Sequence, residues 1–221
     1  MKHNKTDKDL KSFTRRIIIA VLLVIIIASA ISLVKEWMDA AAQRRLEESL
    51  AEAAKQTETE PSETEEETEA ETEAPYVSPI DFAPLWETNP DTIGWIRVPD
   101  TKIDYPIVQS PDNQYYLHKD FEGNDSVYGA IYLDADSKSD FSGWNNPIYG
   151  HHMKDGSMFK DVVRFKDQAF FESHRYFEIY TPERTIHLKT LGCYYSDSNG
   201  IVRKTSFKSQ ASFDKWVSER L

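Results

Sequence analysis

The sequence predicts a mainly-β barrel with short helical insertions, preceded by one transmembrane helix. Two observations carry this prediction. Residues 17–34 form an uncharged, apolar run of eighteen residues, which is just long enough to cross a hydrocarbon core. From residue 76 onward, short strand-like stretches alternate with turn residues, and the helical stretches between them are few and short.

The N-terminal part of the chain predicts a single-pass anchor in the cell membrane. Residues 1–16 are polar and basic, and the apolar run 17–34 follows them. Because positive charge favours the cytoplasmic side, we expect residues 1–16 in the cytoplasm and everything after Lys35 outside the cell. A cleaved signal peptide is the alternative. The anchor is favoured because the run exceeds a usual signal core and its small-residue site, Ala28-Ser29-Ala30, lies inside the run.

The charge of the chain is concentrated in one segment. The formal net charge is −11, and residues 47–74 hold twelve glutamates and one lysine, so the remainder is neutral overall. The lack of a basic patch argues against nucleic acid as a partner. Residues 35–56 are rich in alanine, glutamate and leucine, and they predict a juxtamembrane helix.

A Thr-Glu repeat occupies residues 57–75. It has no apolar face and repels itself, so the sequence predicts an extended, disordered spacer that holds the following domain off the membrane. A calcium-binding tail and a site of threonine glycosylation are the two alternatives. The globular domain is predicted to occupy residues 76–221.

The elements of this domain are predicted from hydrophobic periodicity and turn residues. Strands are predicted at residues 92–98, 103–109, 130–133, 147–149, 176–180 and 185–195. Helical segments are predicted at residues 81–89, 158–165, 168–174 and 206–221, and residues 113–118 are either helical or extended. The last helix is amphipathic, with its apolar face formed by Phe213, Trp216, Val217 and Leu221.

The stretch 146–159 contains the candidate catalytic residue. A short apolar strand ends at Gly150 and two histidines follow, so an imidazole is expected at the rim of a sheet, where a rigid scaffold can present it to a substrate. A structural histidine that caps the strand end is the alternative. A metal site formed by His151 and His152 is a weaker alternative, because adjacent histidines point in different directions and no nearby carboxylate spacing matches a ligand set. Nothing in the sequence implies a cofactor.

Three blocks, in the same order along the chain, resemble the class B sortases of Gram-positive bacteria. They are residues 89–109 (NPDTIGWIRVPDTKIDYPIVQ), 113–133 (NQYYLHKDFEGNDSVYGAIYL) and 146–159 (NPIYGHHMKDGSMF). A single-pass anchor before an extracellular domain is also the layout of that family. The resemblance runs from about residue 88 to the end of the chain and implies a sortase-type closed β-barrel.

The resemblance implies a cysteine transpeptidase. Such an enzyme cuts the C-terminal sorting signal of a surface protein by attack of a cysteine thiolate, and an amine of a peptidoglycan precursor or of a pilin then resolves the thioester. An arginine donates to the developing oxyanion. By the resemblance His151, directly after Tyr-Gly, is the catalytic acid/base histidine, and His152 stands where the family often has asparagine. The resemblance calls for no cofactor.

Cys193, the single cysteine, and Arg203 are the alternative nucleophile and oxyanion donor. The family's cysteine ends a strand in the pattern Thr-Leu-x-Thr-Cys after a substantial helix. Here the pattern is Thr-Leu-Gly-Cys, and the predicted helix 206–221 follows the cysteine. We therefore expect that Cys193 is a bystander and that the chain is C-terminally incomplete, lacking the last two strands and the nucleophile. A non-catalytic, sortase-like surface binding module is the alternative function.

Overall fold

The computed structural model contains two compact units, Met1–Arg45 and Leu46–Leu221. It describes residues 3–55, 76–196 and 203–220, with side chains from residue 13 onward. The first helix, α1, spans His3–Ala53, so it begins in the first unit and ends in the second.

Helix α1 contains the predicted membrane anchor. Its portion Phe13–Ala53 is long and apolar enough to cross a membrane, judged by length and composition. The apolar side chains of residues 17–34 are exposed on every side of the helix. A helix that is apolar all round and not covered by protein is typical of a lipid-exposed span, so α1 is compatible with the predicted anchor.

The second unit is built on one six-stranded sheet. The strands are β1 Thr92–Arg97, β2 Asp104–Val108, β3 Ile131–Leu133, β4 Ile148–Tyr149, β5 Tyr176–Tyr180 and β6 Thr185–Lys189. Their order in the sheet is β4-β3-β2-β1-β5-β6. Neighbouring strands are antiparallel, except for β2 and β3, which are parallel.

Short helical segments lie before, between and after the strands, as the sequence predicts. They are α2 Ala83–Thr88, α3 Tyr115–His118, a 3₁₀ helix Phe159–Lys166, α4 Gln168–Ser173 and α5 Gln210–Ser218. Parallel neighbours cannot be joined by a tight turn, so β2 and β3 are linked by a crossover, residues 109–130, which contains α3. This crossover brings backbone from the α3 region to the end of β4.

The sheet is a curled half-barrel in the part of the chain that the structure describes. Strands β4 and β6 form its two edges, and no described strand joins them. The predicted mainly-β fold with short helical insertions is thereby confirmed. The core lies around Trp95, Val108 and Tyr116, which are 2% exposed or less.

Two predicted elements end earlier or begin later than expected. The strand predicted at 185–195 ends at Lys189, because its neighbour β5 begins at Tyr176 and that residue already pairs with Lys189. The helix predicted at 206–221 begins at Gln210, because the side chains of Ser209 and Ser212 form a reciprocal capping box that fixes the first turn.

The start of the second unit also differs from the predicted domain boundary. The compact unit begins at Leu46 and not at residue 76, because Leu50 and Ala54 of α1 are buried in its core. The predicted spacer, residues 57–75, lies outside the described residues.

Candidate active site

His151 follows the end of β4, where Gly150 allows an unusually close approach of neighbouring side chains. A Cβ atom at Gly150 would lie 2.4 Å from Ile131 Cδ1 and 2.8 Å from Phe159 Cδ2. Real Cβ contacts are essentially never shorter than 3.0 Å, so any other residue here would force a neighbour to move. Because Gly150 has no Cβ atom, Ile131 and Phe159 can pack directly against its backbone, and this packing helps to fix the position of His151 at the end of β4.

The His151 imidazole is held by the backbone of the β2–β3 crossover. Its Nε2 atom lies 2.9 Å from the carbonyl oxygen of Leu117. Because a carbonyl oxygen can only accept, Nε2 carries the hydrogen and Nδ1 holds the lone pair of the neutral ring. No described residue hydrogen-bonds to Nδ1. The half-buried ring thus has one anchored nitrogen and one nitrogen that is available for proton exchange.

Gly129 lets the crossover come this close to the imidazole. Its φ of +58° lies in the left-handed region that favours glycine. A Cβ atom there would lie 2.7 Å from the Tyr116 carbonyl oxygen, 2.9 Å from that of Leu117 and 3.1 Å from His151 Cδ2. Gly129, beside the ring, and Gly150, directly before His151 in the chain, therefore both help to set the position of His151.

The turn after His151 is closed by backbone pairing. The backbone N–H of Phe159 donates to the carbonyl oxygen of His151 at 2.9 Å, and His152 forms an isolated antiparallel bridge with Met158. The side chain of His152 is exposed. The two adjacent histidines thus lie in different surroundings, one half-buried against Leu117 and the other at the surface.

Asp155 stabilises the same turn. Its carboxylate accepts hydrogen bonds from the hydroxyls of Ser157 at 2.7 Å and Tyr128 at 3.0 Å. Burial raises the pKa of Asp155, but the hydrogen bonds to its charged form outweigh burial and hold that pKa below its ordinary value. The carboxylate therefore stays ionised, and its hydrogen bonds hold the turn at neutral pH.

A fully buried carboxylate, Asp134, follows the end of β3. Its Oδ2 atom accepts from Tyr149 Oη at 2.7 Å, Asn113 Nδ2 at 3.1 Å and Arg203 Nε at 2.7 Å, and its Oδ1 atom accepts from the backbone N–H of Asp136 at 2.9 Å. Burial raises the pKa of Asp134, but the hydrogen bonds from Tyr149, Arg203 and the Asp136 backbone, with the positive charge of Arg203, together hold it below its ordinary value. Asp134 thus anchors β4 at Tyr149, two residues before His151.

Sequence reasoning did not identify Asp134 as part of the site. The available signal was an acidic residue directly after the apolar strand β3, since such a position is rarely buried unless the carboxylate is paired. Arg203 is its ionic partner and also approaches Asp136 Oδ2 at 3.3 Å. The two carboxylates therefore engage the guanidinium that the sequence offered as an oxyanion donor.

Cys193 lies on the wall of a separate cavity of about 830 Å³. The cavity is mostly apolar, and its lining includes Ile96, Ile179, Ile186, Leu188, Phe213 and Trp216. The Cys193 thiol donates a weak hydrogen bond to the Val162 carbonyl oxygen at 3.5 Å. Neither His151 nor Arg203 belongs to the described lining.

The three catalytic candidates therefore occupy different surroundings. Arg203 is connected to β4, and so to His151, through Asp134 and Tyr149. Cys193 lies in an irregular segment after β6. Within the described ranges, no group of three or more histidine, cysteine or acidic side chains is arranged to hold a metal ion.

Comparison with known proteins gives one consistent result. No protein-family model matches the chain. The sortase B of Listeria monocytogenes is 47% identical over 78 residues, which are 35% of this chain and 32% of that protein. The sortase B of Staphylococcus aureus is 25% identical over 138 residues, which are 62% of this chain and 57% of that protein. The chain thus spans less than two thirds of the length of these curated relatives.

Solved structures extend the similarity to most of the chain. Sortase B from Bacillus anthracis, in complex with AAEK1, is 31% identical with a TM-score of 0.62, and the match covers 83% of this chain and 80% of that chain. A Staphylococcus aureus sortase B–substrate complex is 27% identical with a TM-score of 0.59, covering 62% of this chain and 64% of that chain. The half-barrel and these similarities define a class B sortase fold. The chain belongs to the sortase B family.

Proposed function

We propose that this chain is a membrane-anchored, extracellular sortase domain. It binds the C-terminal sorting signals of surface proteins, and it supplies the acid/base group for their transfer to an amine. The observation that carries the proposal is the geometry of His151, whose Nε2–H is held by Leu117 while Nδ1 remains available. Family membership, and the substrate complex of the Staphylococcus aureus relative, support the same substrate class.

The proposed role of His151 is to move one proton in each half of the reaction. In the family's reaction a cysteine thiolate, for which the proposal assigns no residue among these 221, attacks the scissile carbonyl, the carbon–nitrogen bond breaks, and the imidazolium gives its Nδ1 proton to the departing amine. In the second half, the neutral imidazole takes a proton from the acceptor amine, which attacks the thioester and releases the thiolate. We propose an amine of a peptidoglycan precursor or of a pilin as this acceptor.

We further propose that Cys193 is not the nucleophile and that Arg203 is a structural ion-pair partner. Cys193 lies beyond the end of β6, on a cavity wall whose described lining does not include His151. Nucleophilic catalysis needs the base within hydrogen-bond reach of the thiol. Because Cys193 is the single cysteine of these 221 residues, the proposal assigns no thioester-forming residue to them.

The position of Cys193 also favours a second candidate function. A sortase-like domain that retains His151 but forms no thioester would bind sorting signals without transferring them. Such a domain would act as a surface binding module. The two candidates share the substrate class and differ in whether the bound signal reacts with a cysteine thiolate that these 221 residues do not supply.

Intact-mass spectrometry with a sorting-signal peptide tests the two statements that both candidates share, that the chain binds the signal and that Cys193 forms no thioester. The full chain in detergent micelles is mixed with a labelled peptide, and binding is followed by fluorescence anisotropy while the protein mass is measured. We expect binding without an acyl adduct, and slow labelling of Cys193 by a methanethiosulfonate reagent. An adduct that is present in the original chain, absent in Cys193→Ser and lost in His151→Ala would instead make Cys193 the nucleophile.

A further inference from the structure

Met158, in the turn that follows His151, has a backbone conformation that is ordinarily left to glycine. Its φ of +56° and ψ of −137° lie in the mirror image of the extended region, which glycine enters readily and other residues enter at a cost. Gly156, two positions earlier, takes the other positive φ of this turn, at +93°. Among the described residues other than glycine, only Asp100 and Phe141 share a positive φ with Met158. The backbone of the turn is therefore strained at Met158.

The surrounding structure holds Met158 in this conformation. Its side chain is 2% exposed, so it cannot turn out into solvent without losing its packing. Its backbone N–H donates to the Tyr105 hydroxyl at 2.9 Å, and the residue forms its bridge with His152. Because Tyr105 is buried and belongs to β2, this bond attaches the turn to the sheet. A strained conformation persists only where its neighbours determine it in this way.

The conformation of Met158 directs the next residue, Phe159, against the backbone that carries the imidazole. The Phe159 N–H donates to the His151 carbonyl oxygen at 2.9 Å. The Phe159 ring lies against Gly150, where a Cβ atom would be 2.8 and 3.0 Å from two of its atoms. Because ψ of Met158 sets the orientation of the following peptide group, a change there would redirect the N–H and the ring of Phe159 together. Both contacts on the backbone of residues 150 and 151 therefore depend on Met158.

We propose that Met158 is a positioning residue for His151. Its strained backbone aims Phe159 at the backbone of Gly150 and His151, and its buried side chain prevents the strain from being released. The imidazole is thereby held with Nε2 against the Leu117 carbonyl oxygen. The significance of this position for proton transfer rests on the proposed function, but the position itself can be measured without a sorting signal.

Thermal unfolding of four variants of the full chain tests the strain: Met158→Ala, Met158→Gly, Leu85→Ala and Leu85→Gly. Leu85 is the matched control, because it is fully buried in the regular helix α2, where glycine is less stable than alanine. At Met158 glycine also removes the cost of the positive φ. The change in Tm from alanine to glycine should therefore be about 2–12 °C more favourable at Met158 than at Leu85. Equal changes at the two positions would overturn the proposed strain.

Nitrogen NMR of the His151 ring tests the positioning, with His151→Ala used to assign the signals. Met158→Leu keeps the side-chain volume and the strained backbone, so the ring signals and the preference for hydrogen on Nε2 should be retained. Met158→Gly frees the backbone, so the ring signals should shift and that preference should weaken. Tyr105→Phe, a milder change that removes the acceptor of the Met158 N–H, should shift the same signals less. Unchanged ring signals in Met158→Gly or in Tyr105→Phe would overturn the proposal.

Two controls separate positioning from general destabilisation and from the proposed function. Leu85→Ala lowers Tm through a distant part of the core, so it should leave the His151 ring signals unchanged. A shift of equal size in Leu85→Ala would mean that the ring merely reports lost stability, which would overturn the positioning role. If the original chain binds no labelled sorting-signal peptide while its ring signals respond to Met158→Gly, the proposed function is refuted and the positioning role is supported.

Discussion

Replacing Gly150 with alanine tests whether the close approach at the end of β4 positions His151. The new Cβ atom would lie 2.4 Å from Ile131 Cδ1 and 2.8 and 3.0 Å from two atoms of the Phe159 ring. Ile131 is only 2% exposed, so its methyl group has little room to move away. Overpacking of this kind costs about 1–3 kcal/mol in the free energy of unfolding.

Gly192→Ala is the matched control for this change. A Cβ atom at Gly192 meets no described atom within 4 Å, and its backbone does not lie in the left-handed region. Alanine also restricts the unfolded chain, which stabilises a compatible site by about 0.4–1 kcal/mol. Both variants share that effect, so the difference between their stabilities measures the clash at Gly150.

The assay is thermal unfolding of the full chain, together with NMR signals of the His151 ring. A unit of this size loses about 2–4 °C in Tm per kcal/mol, so Gly150→Ala should unfold about 2–12 °C below Gly192→Ala. The ring signals of His151 should shift in Gly150→Ala and stay unchanged in Gly192→Ala. Equal Tm values and unchanged ring signals in both variants would refute the argument that this glycine sets the position of the imidazole.

Four further predictions concern the hydrogen bonds of the site. The pKa of Asp134 is lowered in the folded state, so the ionised carboxylate contributes its full stabilisation above its ordinary pKa of 3.8 and loses it as the pH falls through the lower folded value. Below about pH 4, the free energy of unfolding should therefore fall less steeply with decreasing pH in Asp134→Asn than in the original chain. An identical pH dependence in the two proteins would contradict this. Asp134→Asn should also lower stability at pH 7 by about 1–3 kcal/mol, measured by urea unfolding, because a charge-assisted network is lost. Tyr105→Phe should cost about 1 kcal/mol in the same assay, through the loss of the 2.9 Å bond from the Met158 backbone, and an unchanged midpoint would argue against that bond. Nitrogen NMR of His151 should show hydrogen on Nε2 in the neutral ring, whereas hydrogen on Nδ1 would contradict the bond to Leu117.

The parts of the fold that were predictable from sequence depend on local signals. The β1–β2 hairpin was predicted within one residue at each end, because apolar alternation and the turn after Val98 are both local features. The position of His151 after a strand end was predicted for the same reason, since a glycine follows a short apolar run. Such signals need no knowledge of distant residues.

The rest of the site depends on contacts between distant parts of the chain. Leu117 holds the imidazole through a backbone carbonyl group, which its side chain does not encode, from 34 positions earlier in the chain. The Asp134 carboxylate collects partners 21, 15 and 69 positions away. The end of β6 is set by the length of β5, and the buried face of α1 is defined only by the residues that cover it. Periodicity within one segment cannot report any of these partners.

His151 and Cys193 differ in how firmly the surrounding structure holds them in place. Strand β4 is a two-residue edge strand, which alone would position a side chain poorly. It is nevertheless fixed by Tyr149 on a buried carboxylate, by the close approach at Gly150 and by the Leu117 carbonyl group on the imidazole itself. Cys193 has one weak thiol contact in a segment without regular structure. Because catalysis requires groups held close to their productive geometry, this contrast supports His151 as the acid/base residue and argues against Cys193 as the nucleophile.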